Sequence, residues 1–209
     1  MDVQLQEACS SLLIQDRAVL GITGPPGAGK STIAQSLVAD LSAAHGAGHA
    51  AYLPMDGFHL GDHALAALGL LDRKGAPETF DVDGYAAVLA RVRTASGPVY
   101  VPSFSRVLEQ PIAADLIVPA SARVIVTEGN YLLQWPAVRA LLDQVWFVQA
   151  DPAVRRQRLI ARHVEFGKSP SEATDWVRRV DEPNADLISA SAHLADRFID
   201  GVAGTFVEG

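Results

Sequence analysis

Eight residues, Gly24-Pro25-Pro26-Gly27-Ala28-Gly29-Lys30-Ser31, stand between a short apolar run, Ala18 to Thr23, and a stretch with helical spacing, Ser31 to Ala44. They match G-x-x-x-x-G-K-[ST] at every fixed position, in the order of strand, loop and helix that the pattern requires. Glycines at 24, 27 and 29 let successive backbone N–H groups, with that of Ala28, turn inward toward phosphate oxygens. The positive N-terminal end of the following helix adds to the attraction. Lys30 supplies a mobile charge for the β and γ phosphates, the Ser31 hydroxyl suits Mg²⁺, and Thr32 supports the first helical turn beside them. Gly24, Gly27, Ala28, Gly29, Lys30, Ser31 and Thr32 are therefore the expected ATP contacts, with Mg²⁺ as the accompanying ion. The loop alone names no reaction.

The rest of the chain repeats the alternation. Ala50 to Pro54, Arg123 to Thr127, Gln144 to Gln149 and, more weakly, Arg197 to Ile199 read as further strands separated by helical segments. This pattern predicts a three-layer α/β/α fold around a five-stranded, mostly parallel sheet. A leading helix is expected over Val3 to Gln15. Asp151 before Pro152 predicts an N-cap for an Arg-rich helix running to about Phe166, with Gly167 as its stop. Between the second and third core strands lies a long insertion, residues 57–122. It has helical spacing near Asp62 to Leu71 and Asp83 to Thr94 and a strand-like Val99 to Phe104, and substrate specificity is expected there.

Bulk properties exclude several roles. Cys9 is the only cysteine, so neither an internal disulfide nor a multi-cysteine zinc site is available, and the residue reads as packing. A formal charge of -7 opposes a nucleic-acid partner. No apolar run reaches the length of a membrane span, and Met1 to Gln15 has no Lys or Arg ahead of its apolar stretch, unlike a signal peptide. A cytoplasmic protein without nucleic-acid or membrane partners is expected, and a homodimer is compatible with the sequence.

Two carboxylates follow strands. Asp56, in Leu53-Pro54-Met55-Asp56-Gly57-Phe58-His59, is suited to accept a proton from an acceptor hydroxyl, although an Asp-Gly pair also makes a turn. Glu128 ends the third core strand, where a carboxylate can orient the Mg²⁺ shell, polarise water or cap a loop. In the Arg-rich helix Arg155, Arg158 and Arg162 share a face, with Arg156 to the side. Such a face is either solvated or a lid whose guanidinium groups stabilise transferring charge. His59 and His63 stand four apart, but Gly61 intervenes and no third metal ligand is evident; contact of His59 with substrate or phosphate is the better reading. Trp135, Trp146 and Trp176 read as packing residues.

With GITGPPGAGKST, MDGFHL, RKGAPETFDVDGY, VPSFSR, VTEGNYLL, RLIARHVEFGK and WVRRVDEPNADLI in view, the chain resembles the small-molecule kinases grouped as phosphoribulokinase, uridine kinase and bacterial pantothenate kinase. It is most similar to the nucleoside/nucleotide kinase-like branch, also labelled fructose-transport-associated. The resemblance runs from about Ala18 to Ile188 and implies one P-loop kinase domain over 1–209, with the insertion on the substrate side and a helical lid over 152–182. It implies Asp56 as catalytic base, with Lys30, Arg158 and Arg162 completing the catalytic set. Ser31 and Glu128 are implied at Mg²⁺, Glu128 also on the substrate side. His59, Lys74, Asp81 and Arg106 are implied at the acceptor, and Asn184 either at the nucleotide or capping a helix. Gly57-Phe58-His59 replaces the tyrosine-bearing motif of uridine kinases, and the feedback elements of the longer pantothenate kinases are missing.

The expected activity is transfer of the γ-phosphate of ATP to a hydroxyl of a small molecule: a sugar such as fructose, a nucleoside or a pantothenate-like alcohol. The alternative is a P-loop ATPase serving as a switch. Against it, the chain has no N-K-x-D guanine motif and no LSGGQ-like signature.

Overall fold

The structure, a computed structural model, describes residues 3–12 and 16–208. Its centre is strand β1 (Ala18–Thr23), buried at every position. The apolar run has no polar face because neighbouring strands and two helical layers cover it on all sides. Around it stand β2 (Ala50–Pro54), β5 (Val124–Glu128), β6 (Gln144–Gln149), β7 (Arg197–Asp200) and β8 (Phe206–Val207), in the order β2-β5-β1-β6-β7-β8. The first five are parallel, as expected from the alternation. The two-residue β8 adds a sixth strand, antiparallel to β7.

Helices cover both faces. On one, α1 (Val3–Leu12) and α2 (Lys30–His45) bury Leu5, Leu12, Ala34, Leu37 and Leu41 against Leu20, Ile22 and Val126. Residues 13–15 of the expected leading helix lie outside the described residues. On the other face, α4 (Val82–Thr94) packs Tyr85, Leu89 and Val92, joined by Val138 of α5 (Pro136–Arg139) and Ile188 of α8 (Glu182–Ala190). The remaining helices are α3 (Asp62–Leu68), α6 (Pro152–Glu165) and α7 (Pro170–Trp176). A π-helical turn, Val177–Asp181, joins α7 to α8. Asp151 caps α6, its Oδ1 accepting from the Ala153 N–H at 2.7 Å. Among the described residues no helix is long and apolar enough to cross a membrane.

The insertion contains a strand that the sequence pattern did not reveal. The expected strand, β3 (Val99–Ser105), pairs with β4 (Gln110–Val118) in a separate antiparallel hairpin, with a register shift between Val101 and Ser103. β4 escapes period-two reading because much of it is exposed and Ala114 takes a positive φ of 56°.

Arg17 ties the start of β1 to its surroundings. Its Nε donates to the Ala122 carbonyl at 2.8 Å, Nη1 to Val92 and Ala95 at 2.7 and 3.0 Å, and Nη2 to Ala120 at 2.6 Å. Arg17→Ala would strand carbonyls at the end of α4 and before β5. Stability is expected to fall by about 2–3 kcal/mol, because bonds from a charged donor exceed the usual hydrogen-bond contribution. A lower urea midpoint at unchanged slope would show it, and an unmoved midpoint would refute it.

Candidate active site

The loop after β1 opens at the carboxyl ends of the parallel strands, where a doubly wound sheet gathers its functional groups. Two features force glycine at position 24. Its φ is 144°, and a Cβ there would lie 2.2 Å from the Val148 carbonyl of β6. Gly27 has φ 77°, and a Cβ would approach the Arg155 carbonyl of α6 to 2.8 Å. The loop is thus clamped between the sheet and α6. Its far end, Gly29, is left-handed and leads directly into α2.

A cleft of about 620 Å³ lies over this loop and brings together Lys30, Ser31, Asp56, Glu128, Arg106 and Arg162. Lys30 is nearly buried, and its Nζ donates to the Pro25 carbonyl at 3.1 Å. Burial pushes its ammonium down to about 8, against the pull of Glu128 and Asp56. Asp56 sits in a tight turn, Met55–Phe58, that follows β2. Burial would raise its carboxyl, but His59, Arg106, Lys30 and Arg162 together hold it below the usual range, so it is ionised at neutral pH. Arg106, on the hairpin, donates from Nη2 to Asp56 Oδ2 at 2.9 Å. Glu128 is 4% exposed. Burial first, then the charge of Asp56, pushes its carboxyl up, opposed by Lys30 and by the hydrogen bond from Tyr52. The Tyr52 hydroxyl donates to Glu128 Oε1 at 2.7 Å.

The arginines of α6 divide in a way their spacing conceals. Arg155 is buried; it donates to the Pro26 carbonyl at 3.2 Å and pairs with Glu182 at 3.2 Å, bracing the loop from behind. Arg156 also pairs with Glu182, at 3.1 Å. Arg158 reaches the carbonyls of Gly27, Ala28 and Gly201 at 3.2 to 3.4 Å. Arg162 is half-buried in the cleft, and among the described residues its guanidinium has no hydrogen-bond acceptor.

The far end of the cleft is aromatic and charged. The His59 ring lies 4.0 Å from that of Phe80 and 4.7 Å from that of Phe104, and its Nδ1 is 2.8 Å from the Asp56 carbonyl. Burial pushes this imidazole below its ordinary value, against the pull of Asp56. Lys74 pairs with Asp62 at 2.6 Å and bonds the Glu109 carbonyl. Asn184 lines the cleft, and no side-chain cap forms on α8.

Asp81, grouped with the acceptor residues, is not among those lining the cleft. Its Oδ1 accepts from the Gly84 N–H at 2.9 Å and caps α4, so the carboxylate is spent on the helix end. His63 does not line the cleft either. Trp135 and Trp146 pack as expected, within an aromatic cluster and inside the sheet layer. Trp176 instead lines the cleft with the Lys168 ammonium 4.6 Å from its ring centroid.

A second cavity, about 740 Å³, adjoins the loop on its other side. Thr32 and Ser36 of α2, Arg158 and the turn 201–205 line it. No phosphate-loop signature marks that turn in the sequence. Gly201 is its signal: a Cβ there would lie 1.9 Å from the Ala28 carbonyl.

Comparison with known proteins bears on this geometry. A family model described as phosphoribulokinase / uridine kinase matches residues 19–206. A candidate uridine kinase of Schizosaccharomyces pombe is 31% identical over 209 residues, covering 93% of this chain and 88% of its own. An ATP-dependent kinase-like protein of Aspergillus versicolor is 38% identical over 131 residues, 57% of this chain and 76% of its own. The crystal structure of a candidate fructose transport system kinase from Silicibacter sp. TM1040 superposes with a TM-score of 0.83 at 33% identity, covering 94% of this chain and 99% of that one.

Proposed function

Since this chain belongs to the phosphoribulokinase / uridine kinase family of ATP-dependent P-loop kinases, we propose that it moves the γ-phosphate of ATP onto a hydroxyl of a small metabolite. The observation that carries this reading is the convergence of Lys30 and an ionised Asp56 in one cleft, with arginines 106 and 162 beside them. A carboxylate there accepts the proton of an acceptor O–H as its oxygen bonds to the γ-phosphorus and the bond to the ADP oxygen breaks. Lys30 and Arg162 offset the charge spread over the transferring oxygens.

The second cavity suits the base and ribose of ATP, leaving the phosphates to run along the loop into the first. Ser31 and Glu128 are the residues that would hold Mg²⁺, which supplies charge neutralisation at the phosphates. Their hard oxygens, which line the cleft together with Lys30, suit that ion. Among the described residues no cluster of three His, Cys, Asp or Glu could hold a metal unaided, consistent with an ion bound chiefly through phosphate and water. His59, Lys74 and Arg106 would contact the acceptor, a sugar such as fructose, a nucleoside or a pantothenate-like alcohol. Helix α6, with Arg158 and Arg162, would act as the lid.

An ATP-consumption screen across those acceptor classes, with a no-acceptor control, tests the proposal. Consumption is expected to rise well above the control with at least one hydroxyl acceptor. Equal consumption with and without every acceptor would favour hydrolysis and sink the kinase reading.

A further inference from the structure

Across the pairing of β2 with β5, Tyr52 stands opposite Val126 and Pro54 opposite Glu128. Because side chains alternate along a strand, Tyr52 and Glu128 share one sheet face, two positions apart. On that face Tyr52 packs, half-buried, against the apolar cluster formed with α2. Its hydroxyl leans along the sheet to donate to Glu128 Oε1 at 2.7 Å. Ser31, the second residue of α2, lines the same cleft as that carboxylate. Residues of three elements, β2, β5 and α2, therefore come together next to the phosphate loop.

Tyr52 itself does not line the cleft. It is out of position to touch ATP or an acceptor, so any role in the reaction must pass through Glu128. A glutamate has three rotatable side-chain bonds, and one anchored oxygen removes most of that freedom. We propose that Tyr52 is a positioning residue, whose hydroxyl fixes the Glu128 carboxylate in the cleft beside Ser31 so that the two oxygen donors meet Mg²⁺ as a set pair. This rests on the reading of Ser31 and Glu128 as the metal-side residues. A tyrosine that merely satisfied its own buried hydroxyl would show the same bond. The two roles differ in what the bond's loss does to metal affinity.

Tyr52→Phe keeps the ring and removes only the hydroxyl. The direct readout is Mn²⁺ titrated into the full chain with a non-hydrolysable ATP analogue, free Mn²⁺ being followed by electron paramagnetic resonance. Mn²⁺ affinity is expected to fall about 10-fold, as is usual when the support of a metal-side residue is removed. Affinity for the analogue without divalent ion, the acceptor KM and the melting temperature should stay near their starting values, while kcat falls. Glu128→Gln is measured alongside. If it weakens Mn²⁺ but Tyr52→Phe does not, Tyr52 only fills space and the inference is overturned, with the metal assignment intact. If neither variant alters Mn²⁺ affinity, the assignment of Glu128 fails and the inference fails with it.

Discussion

Asp56→Asn is expected to leave ATP binding intact and to cut acceptor phosphorylation at least ~10²-fold, the usual contribution of a positioned general base. The exchange is close to isosteric. The asparagine carbonyl can still accept from Arg106, which now bonds Asp56 Oδ2 at 2.9 Å, so the hairpin keeps its anchor on the turn after β2. The ability to take the acceptor's proton is lost. Two measurements separate this from general damage. A nucleotide titration should give the original affinity, and the loss should appear in kcat more than in the acceptor KM. Removing the Asp56 charge also relieves one cause of the upward push on the Glu128 carboxyl, so the metal-side carboxylate becomes easier to ionise rather than harder. A fall in turnover therefore does not trace to a protonated Glu128. Unchanged turnover would remove Asp56 from the mechanism and leave its bond to Arg106 as its whole role.

The parts of the fold legible in advance were those with a local cause. Strand β1, the glycine loop and α2 announce themselves because apolar period, turn residues and helical spacing change within a few positions. The Asp151-Pro152 cap is equally local. The hairpin partner β4 was hidden because it is mostly half-buried or exposed, with only Val118 buried, and the positive φ of Ala114 interrupts its alternation. Helices α7 and α8 are short and joined by a π-helical turn that breaks their 3.6-residue period. The cleft followed the same rule. Lys30 and Ser31 were read from the loop motif and Asp56 and Glu128 from their places at strand ends, and the cleft brings the four together. Arg155 and Arg158 share a helical face with Arg162, yet the loop carbonyls and Glu182 take up the first two, and helical spacing cannot report what lies opposite a helix. Asp81 was placed at the acceptor only by the resemblance, and its carboxylate instead caps α4 through the Gly84 N–H. Tyr52 belongs to a strand that looks purely structural, and only the register with β5 puts its hydroxyl on Glu128.

Lys30→Met is expected to move binding and stability in opposite directions. Methionine keeps the apolar stem and loses the ammonium. ATP affinity should fall sharply and transfer by about 10²- to 10³-fold, the range for deleting one preorganised charge donor at a developing anion. The folded protein without nucleotide should become more stable near pH 7. Lys30 has its value lowered from 10.5 to about 8, chiefly by burial, so folding is penalised wherever the buried amine must carry its charge. That penalty is on the order of 3 kcal/mol below pH 8, from the size of the depression. It fades as pH rises through 8 toward 10.5, where the amine is neutral in both states. Urea midpoints measured from pH 6 to 10.5 should show the variant ahead at the acid end and the two proteins converging at the alkaline end. A variant less stable than its parent at pH 7 would mean that attraction to Glu128 and Asp56 outweighs the burial penalty. A normal nucleotide titration would overturn the loop assignment itself. The expected outcome makes the loop a site that folds at a cost, recovered when phosphate oxygens enter and add to the single carbonyl that the buried ammonium now bonds.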